Sequence, residues 1–121
     1  MKMKISVIIP AYNAENTICR AIDSALNQKN IAVEVIVIDD CSQDFTQRVI
    51  NERYSQNERV KLLGTHSNSG PSTARNIGIE NACGDWISVL DADDWFAPDR
   101  LSALLSSALE YKLDFVADSY Y

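Results

Sequence analysis

The stretch Asp91-Ala92-Asp93-Asp94 places three carboxylates within four residues, directly after the apolar run Trp86-Ile87-Ser88-Val89-Leu90. Like charges crowded at the end of a strand repel, and a cation relieves that repulsion. Mg²⁺ and Mn²⁺ take hard oxygen ligands and are commonly held by one or two carboxylates together with substrate phosphates. On an extended backbone Asp91 and Asp93 point to the same side, the spacing for two carboxylates to address one metal–phosphate unit. The competing reading is that these acids only cap and solvate the start of the next helix.

The elements that must position these acids follow from apolar periodicity. Ile5-Ser6-Val7-Ile8-Ile9 reads as a strand buried on both faces, ended by Pro10. Tyr12 and Asn13 form the turn, with Asn13 capping a helix and Glu15 in its first turn. Ile18, Ala21, Ile22, Ala25 and Leu26 recur at helical spacing. Val33 to Ile38 is a second strand, running into Asp39-Asp40-Cys41-Ser42. Ser42 is placed to cap a helix over Gln43 to Tyr54. Arg59 to Leu63 is a short third strand. Pro71 suits the first position of a helix carrying Ala74, Ile77, Gly78 and Ala82, and Gly84 suits its stop. Trp86 to Asp91 is the fourth strand. A cap at Ala97, a Phe96–Leu101 staple and Pro98 open a helix whose stripe is Leu101, Leu104, Leu105, Ala108 and Leu109. A last strand begins near Asp114.

Strict alternation predicts an α/β domain: an open, largely parallel sheet with helices on both faces and right-handed crossovers. Ligands of such sheets bind beyond the carboxyl ends of the strands, at a topological switch point. Tyr12-Asn13, Asp39-Asp40, His66-Ser67-Asn68 and the acid triplet all fall at that edge. With strand order 3-2-1-4, Tyr12 and the triplet become neighbours.

The chain has 121 residues, a hydrophobic fraction of 46% and a net charge of −6. That is one domain's length, and the acidic balance argues against nucleic acid or an anionic membrane as partner. Three cysteines without a Cys-x-x-Cys pair argue against a disulfide framework or a zinc site and predict a reducing, cytoplasmic setting. No signal peptide or membrane-spanning run is visible.

Four blocks, Pro10-Ala11-Tyr12-Asn13-Ala14-Glu15, Asp39-Asp40-Cys41-Ser42-Gln43-Asp44, Asn68-Ser69-Gly70-Pro71-Ser72-Thr73-Ala74-Arg75-Asn76 and Leu90-Asp91-Ala92-Asp93-Asp94, resemble in order and separation the family 2 glycosyltransferases of the GT-A fold. The last two blocks look most like bacterial exopolysaccharide and lipopolysaccharide transferases. The resemblance implies that Asp39 accepts a hydrogen bond from the uracil N3–H of a UDP-sugar, though Asp39 is also placed to cap a helix with Ser42. It implies that Tyr12 borders the base, with Pro10, Ala11, Asn13 and Glu15 completing the nucleotide pocket. A core position is the competing reading of Tyr12. Arg75 would reach the diphosphate or base, or else pair with the clustered acids. Asp91 and Ala92 would contact the nucleotide, with Asp91 at the ribose or at a metal-bound water. Asp93 would ligate Mn²⁺ or Mg²⁺, and Asp94 and Asp40 would orient the donor sugar or support the site from behind. His66 reads as loop surface and Cys41 as a partly buried thiol.

The implied reaction is inverting, metal-dependent transfer of a sugar to a carbohydrate or lipid-linked acceptor hydroxyl in cell-surface polysaccharide synthesis. In the family the base that deprotonates the acceptor lies well downstream of the acid triplet. The chain 1–121 therefore reads as the donor-binding part of a GT-A domain with the acceptor-binding part absent. Alone it is expected to be inactive and to self-associate through its C-terminal strand and a Trp95–Phe96 corner. A metal-dependent nucleotidyltransferase, a receiver-type domain and a non-catalytic nucleotide- or metal-binding module are the alternatives. The first would carry a Gly-rich basic loop after the first strand, and the second an acid pair there.

Overall fold

In the computed structural model, residues 3–111 are described. The order is β1 (Lys4–Ala11), α1 (Ile18–Leu26), β2 (Ala32–Asp39), α2 (Thr46–Tyr54), β3 (Val60–Gly64), α3 (Pro71–Glu80), β4 (Trp86–Val89) and α4 (Arg100–Glu110). The strand expected near Asp114 lies outside the described residues. The sheet runs β3-β2-β1-β4, all pairs parallel. This is the order on which the neighbourhood of Tyr12 and the acid triplet was conditional, and the switch point falls between β1 and β4.

Strand alternation splits the core into two layers. Ile5, Val7, Ile9 and Ala11 of β1 and Val33, Val35 and Val37 of β2 pack with Ile18, Ala21, Ile22 and Ala25 of α1, Ile50 and Tyr54 of α2, and Leu101 and Leu105 of α4. Ile8, Ile36 and Ile38 face the opposite side, against Ala74 of α3. Gly78 is what lets α3 lie this close. A Cβ there would stand 2.4 Å from Ile8 Cγ2 and 2.7 Å from Ile38 Cδ1.

Several local expectations are corrected. Pro10 does not end β1, which continues through Ala11. Ile8 O accepts from Leu90 N–H at 2.9 Å, whereas Ala11 O accepts from Asp40 N–H at 2.8 Å. By alternation Pro10 faces β4, beyond that strand's last pair, Ile8–Val89, so its missing N–H interrupts no paired ladder position. Asn13 and Ser42 cap no helix: α1 starts after Thr17 and α2 after Phe45, neither with a side-chain cap. α4 is preceded by Asp99, not Ala97. Gly84 lies beyond the end of α3, whose cap is Asn81. It passes so close to β1 that a Cβ would be 2.7 Å from Ser6 N, and its N–H donates to Ser6 Oγ at 2.8 Å. β4 is only half-buried, with Ile87 exposed. In α4, Leu101, Leu105 and Ala108 are buried but Leu104 is only partly so and Leu109 is exposed.

The amino end of the sheet carries a buried carboxylate. Glu34 accepts from Ser6 Oγ at 2.5 Å and from Cys83 N–H at 2.6 Å. Lys4 Nζ and Lys61 Nζ lie 3.8 and 3.6 Å from its Oε1. Burial alone would raise its pKa, but the two hydrogen bonds and the two lysines hold it below the ordinary glutamate value.

The contact at Gly78 yields a test of sign. Alanine gains about 1 kcal/mol over glycine in a helix interior, whereas overpacking a filled core costs about 1–3 kcal/mol. Ile8 and Ile38 are fully buried and cannot swing away, so Gly78→Ala is expected to lower the urea midpoint. A raised midpoint would contradict the close packing of α3.

Candidate functional site

The polar loops gather at the carboxyl edge of the sheet. Residues 12–15 after β1 are tied to residues 42–46 after β2. Asn13 adopts φ 48, the left-handed region that Asn tolerates. Its Oδ1 accepts from Gln43 N–H at 2.8 Å and its N–H donates to Ser42 Oγ at 2.8 Å. Ala14 N–H donates to Thr46 Oγ1 at 2.8 Å, and Glu15 N–H to Asp44 Oδ2 at 3.1 Å. The side chains read as helix caps are thus spent on the neighbouring loop, which fixes Tyr12 at the rim. Tyr12 is 46% exposed, so its core reading does not hold.

The adjacent acids Asp39 and Asp40 diverge, as alternation requires. Asp39, fully buried, turns toward α2. Its Oδ1 accepts from Ser42 Oγ at 2.5 Å and its Oδ2 from Ser42 N–H at 3.1 Å and Gln47 Nε2 at 2.7 Å. Asp40 turns toward α3. It accepts from Thr65 Oγ1, Ser69 N–H and Gly70 N–H, each at 2.8 Å, and so pins the loop that leads to Pro71. Burial works against the Asp40 carboxylate, yet these three donors hold its pKa below the ordinary value of 3.8.

The acid triplet does not continue the strand. Asp94 N–H donates to Asp91 O at 3.0 Å, so residues 91–94 form a turn. That turn, not strand alternation, gathers the carboxylates: one oxygen each from Asp91, Asp93 and Asp94 lies within 4.8 Å of the others. Asp91 and Asp93 are exposed and Asp94 is buried. An all-oxygen, all-carboxylate donor set fits a hard divalent cation.

A cavity of about 430 Å³ opens between β1 and β4, lined by Pro10, Tyr12, Asn13, Ala14, Asn16, Thr17, Pro71, Asp91, Ala92 and Asp93. A smaller one, about 120 Å³, adjoins it under Pro10, Ala11, Tyr12, Asp40, Pro71 and Ala74. Tyr12 and the acids are therefore neighbours, as the strand order required. Glu15, Asp39, Arg75 and Asp94 line neither cavity. Arg75 Nη2 donates to Ser72 Oγ at 3.1 Å, and among the described residues no carboxylate pairs with it.

The model for glycosyl transferase family 2 matches residues 6–121. The chain belongs to glycosyltransferase family 2. It is 44% identical over 116 residues to an uncharacterised glycosyltransferase of Haemophilus influenzae, covering 96% of this chain and 46% of that one. It is 45% identical over 104 residues to the succinoglycan biosynthesis protein ExoO of Rhizobium meliloti, covering 86% of this chain and 29% of that one. The chain thus spans less than half the length of either relative. The crystal structure of S. aureus TarS in complex with UDP-GlcNAc matches with a TM-score of 0.81 at 33% identity, over 91% of this chain and 32% of that one. The mannosyltransferase PcManGT of Pyrobaculum calidifontis, in complex with GDP-Man and Mn2+, shares the fold at a TM-score of 0.81 and 24% identity. The architecture is that of the GT-A glycosyltransferases, and the family placement removes the receiver and nucleotidyltransferase readings.

Sequence reasoning missed Asn16, Thr17 and Pro71 as cavity walls and Gln47 as a partner of Asp39. It also missed Arg20, whose Nη2 donates to Asp93 O at 3.1 Å and whose guanidinium lies 4.2 Å over the Trp95 ring. Gln47 lies eight residues from Asp39, beyond the end of the Asp39–Asp44 block. Arg20 sits on the polar flank of the α1 stripe, the one signal that could have drawn attention to it. The expected Trp95–Phe96 corner is not a shared exposed surface: Phe96 is buried and Trp95 is partly covered by Arg20. Among the described residues, no helix is long and apolar enough to cross a membrane.

The lowered pKa of Asp40 gives a pH prediction. Stability from this carboxylate is fully present above its unfolded value of 3.8 and is lost as pH falls through the lower folded value. In urea melts from pH 7 to pH 2, Asp40→Asn is expected to be less stable than the parent at pH 7, the gap closing toward pH 2. A gap independent of pH would contradict the role of the charge.

Proposed function

We propose that this chain binds the nucleotide-diphospho-sugar donor, a UDP-sugar, for inverting transfer to a carbohydrate or lipid-linked acceptor hydroxyl in bacterial cell-surface polysaccharide synthesis. The observation that carries the reading is the cavity between β1 and β4, which is lined by the exposed Tyr12 and by the acids Asp91 and Asp93 together. One end suits a base and ribose; the other suits a diphosphate only if a cation intervenes. Asp91 and Asp93 hold that cation, Mn²⁺ or Mg²⁺, with Asp94 behind them. When bound, the cation neutralises charge gathering on the leaving diphosphate.

Tyr12 offers the base a ring to stack on, and Pro10, Ala11, Asn13 and Ala92 shape the walls. Asp39 accepts the uracil N3–H. A carboxylate offers about four acceptor positions, and Ser42 and Gln47 occupy three of those on Asp39. Gln47 is exposed and its amide swings aside to admit the base. Arg75, in the first turns of α3, turns from Ser72 to the diphosphate. In the transfer step the acceptor oxygen bonds to the anomeric carbon as the carbon–diphosphate bond breaks. The acceptor proton passes to a base outside this donor-binding unit, which agrees with the greater length of the relatives. The three cysteines are free thiols, in keeping with a reducing, cytoplasmic setting.

Calorimetry with UDP tests the reading. Binding is expected to tighten with Mn²⁺, and Asp93→Ala to remove that dependence. Asp39→Ala is expected to reduce discrimination between UDP and GDP by about 1.5–3 kcal/mol, while Gln47→Ala leaves UDP binding intact or tighter. Equal affinity with and without Mn²⁺ would overturn the metal role; equal affinity for UDP and GDP in the parent would overturn that of Asp39.

A further inference from the structure

Between the acid turn and α4 the chain runs without regular structure, and its backbone groups need partners elsewhere. They find them along one line of α1. Arg20 and Ser24 are one turn apart on α1, and Gln28 continues the line just past its end. Arg20 Nη2 donates to Asp93 O at 3.1 Å. Ser24 Oγ accepts from Phe96 N–H at 3.0 Å. Gln28 Nε2 donates to Ala97 O at 2.7 Å and its Oε1 accepts from Leu101 N–H at 2.9 Å. Lys29 N–H closes the seam on Pro98 O at 2.8 Å. Ser24 and Gln28 hold the far part of the segment. Arg20 alone of this line reaches the acid turn itself.

Building on the donor-binding reading above, we propose that Arg20 is a positioning residue for the metal-binding turn. Three carboxylates within 4.8 Å repel one another, and Asp91 and Asp93 are exposed. Arg20 grips the turn from the helix side at the carbonyl of Asp93 while its guanidinium lies over the Trp95 ring two residues on. A planar guanidinium can donate from its edge and stack through its face at once; a lysine ammonium cannot do both. The grip leaves the Asp93 carboxylate unencumbered, brings a positive charge to the cluster, and fixes the backbone before the cation arrives. Fixing a ligand's backbone in advance reduces the ordering cost of binding.

The test uses this chain with Mn²⁺ and UDP as probes. Mn²⁺ is titrated at saturating UDP and read by the electron paramagnetic resonance of the free ion. UDP binding without metal and amide exchange at Asp94 are measured alongside. Losing a supporting partner behind metal ligands typically weakens metal affinity by about 10-fold or more. Arg20→Met is expected to raise half-saturating Mn²⁺ by about that factor, with Arg20→Lys in between. Metal-free UDP binding should stay unchanged and Asp94 exchange should quicken. Unchanged Mn²⁺ affinity in Arg20→Met overturns the proposal. Equal losses of Mn²⁺ and metal-free UDP binding overturn it too, since they show general damage to the fold. If the parent takes up no Mn²⁺ with UDP, the donor-binding reading fails. Amide exchange then decides on Arg20 by itself: faster at Asp94 in Arg20→Met supports the grip, unchanged refutes it.

Discussion

The molecule depends on β1 being paired in parallel on both sides. Parallel partners require crossovers, so helices must cover both faces and every strand must end at the same edge. With β2 and β3 on one side of β1 and β4 on the other, α1 and α2 pack on one face and α3 on the opposite face, so the loops after β1 and β4 lie side by side at the carboxyl edge with a crevice between them. The cavity beside Tyr12 and the acid turn is that crevice. Its walls are set by backbone pairing, before any side chain contributes chemistry.

The two ends of the sheet treat buried charge differently. At the amino end Glu34 is paired with Lys4 and Lys61 and hydrogen-bonded by Ser6 and Cys83, so its charge is met within the protein. At the carboxyl end Asp39 and Asp40 are met by hydroxyl, amide and backbone donors and serve to hold loops. Asp91 and Asp93 alone of the acids discussed combine exposure with mutual proximity. Charge left concentrated and exposed distinguishes the edge proposed to bind the donor from the structural one.

The strands and their parallel sense were legible in the sequence, because apolar runs and strict alternation leave few topologies; the neighbourhood of Tyr12 and the acid triplet followed only once the strand order was known. The loops were not. Asn13 and Ser42 are residue types that cap helices, but here each finds a partner 29 or 30 residues away in sequence, across the β1–β2 edge. Asp39 and Asp40 look like one acidic pair, and only the pleat sends them to opposite faces. The Asp91–Asp93 spacing suggested a strand, while Asp94 closes a turn. In each case the local pattern was ambiguous and the fold decided: a long-range hydrogen bond for Asn13 and Ser42, the pleat for Asp39 and Asp40, and the Asp94–Asp91 turn for the triplet. The polar line Arg20, Ser24 and Gln28 was visible in the sequence, yet its partners in residues 93–101 could be named only from the fold.

The central claim is that nucleotide and cation meet in the crevice between β1 and β4. Paramagnetic broadening of amide resonances by trace Mn²⁺, with and without UDP, tests it most directly. The account predicts that UDP concentrates broadening on Tyr12, Asn13 and Asp91 to Asp94, while the amides around Glu34 at the opposite edge stay sharp. Broadening that ignores UDP, or that centres away from the acid turn, would contradict it.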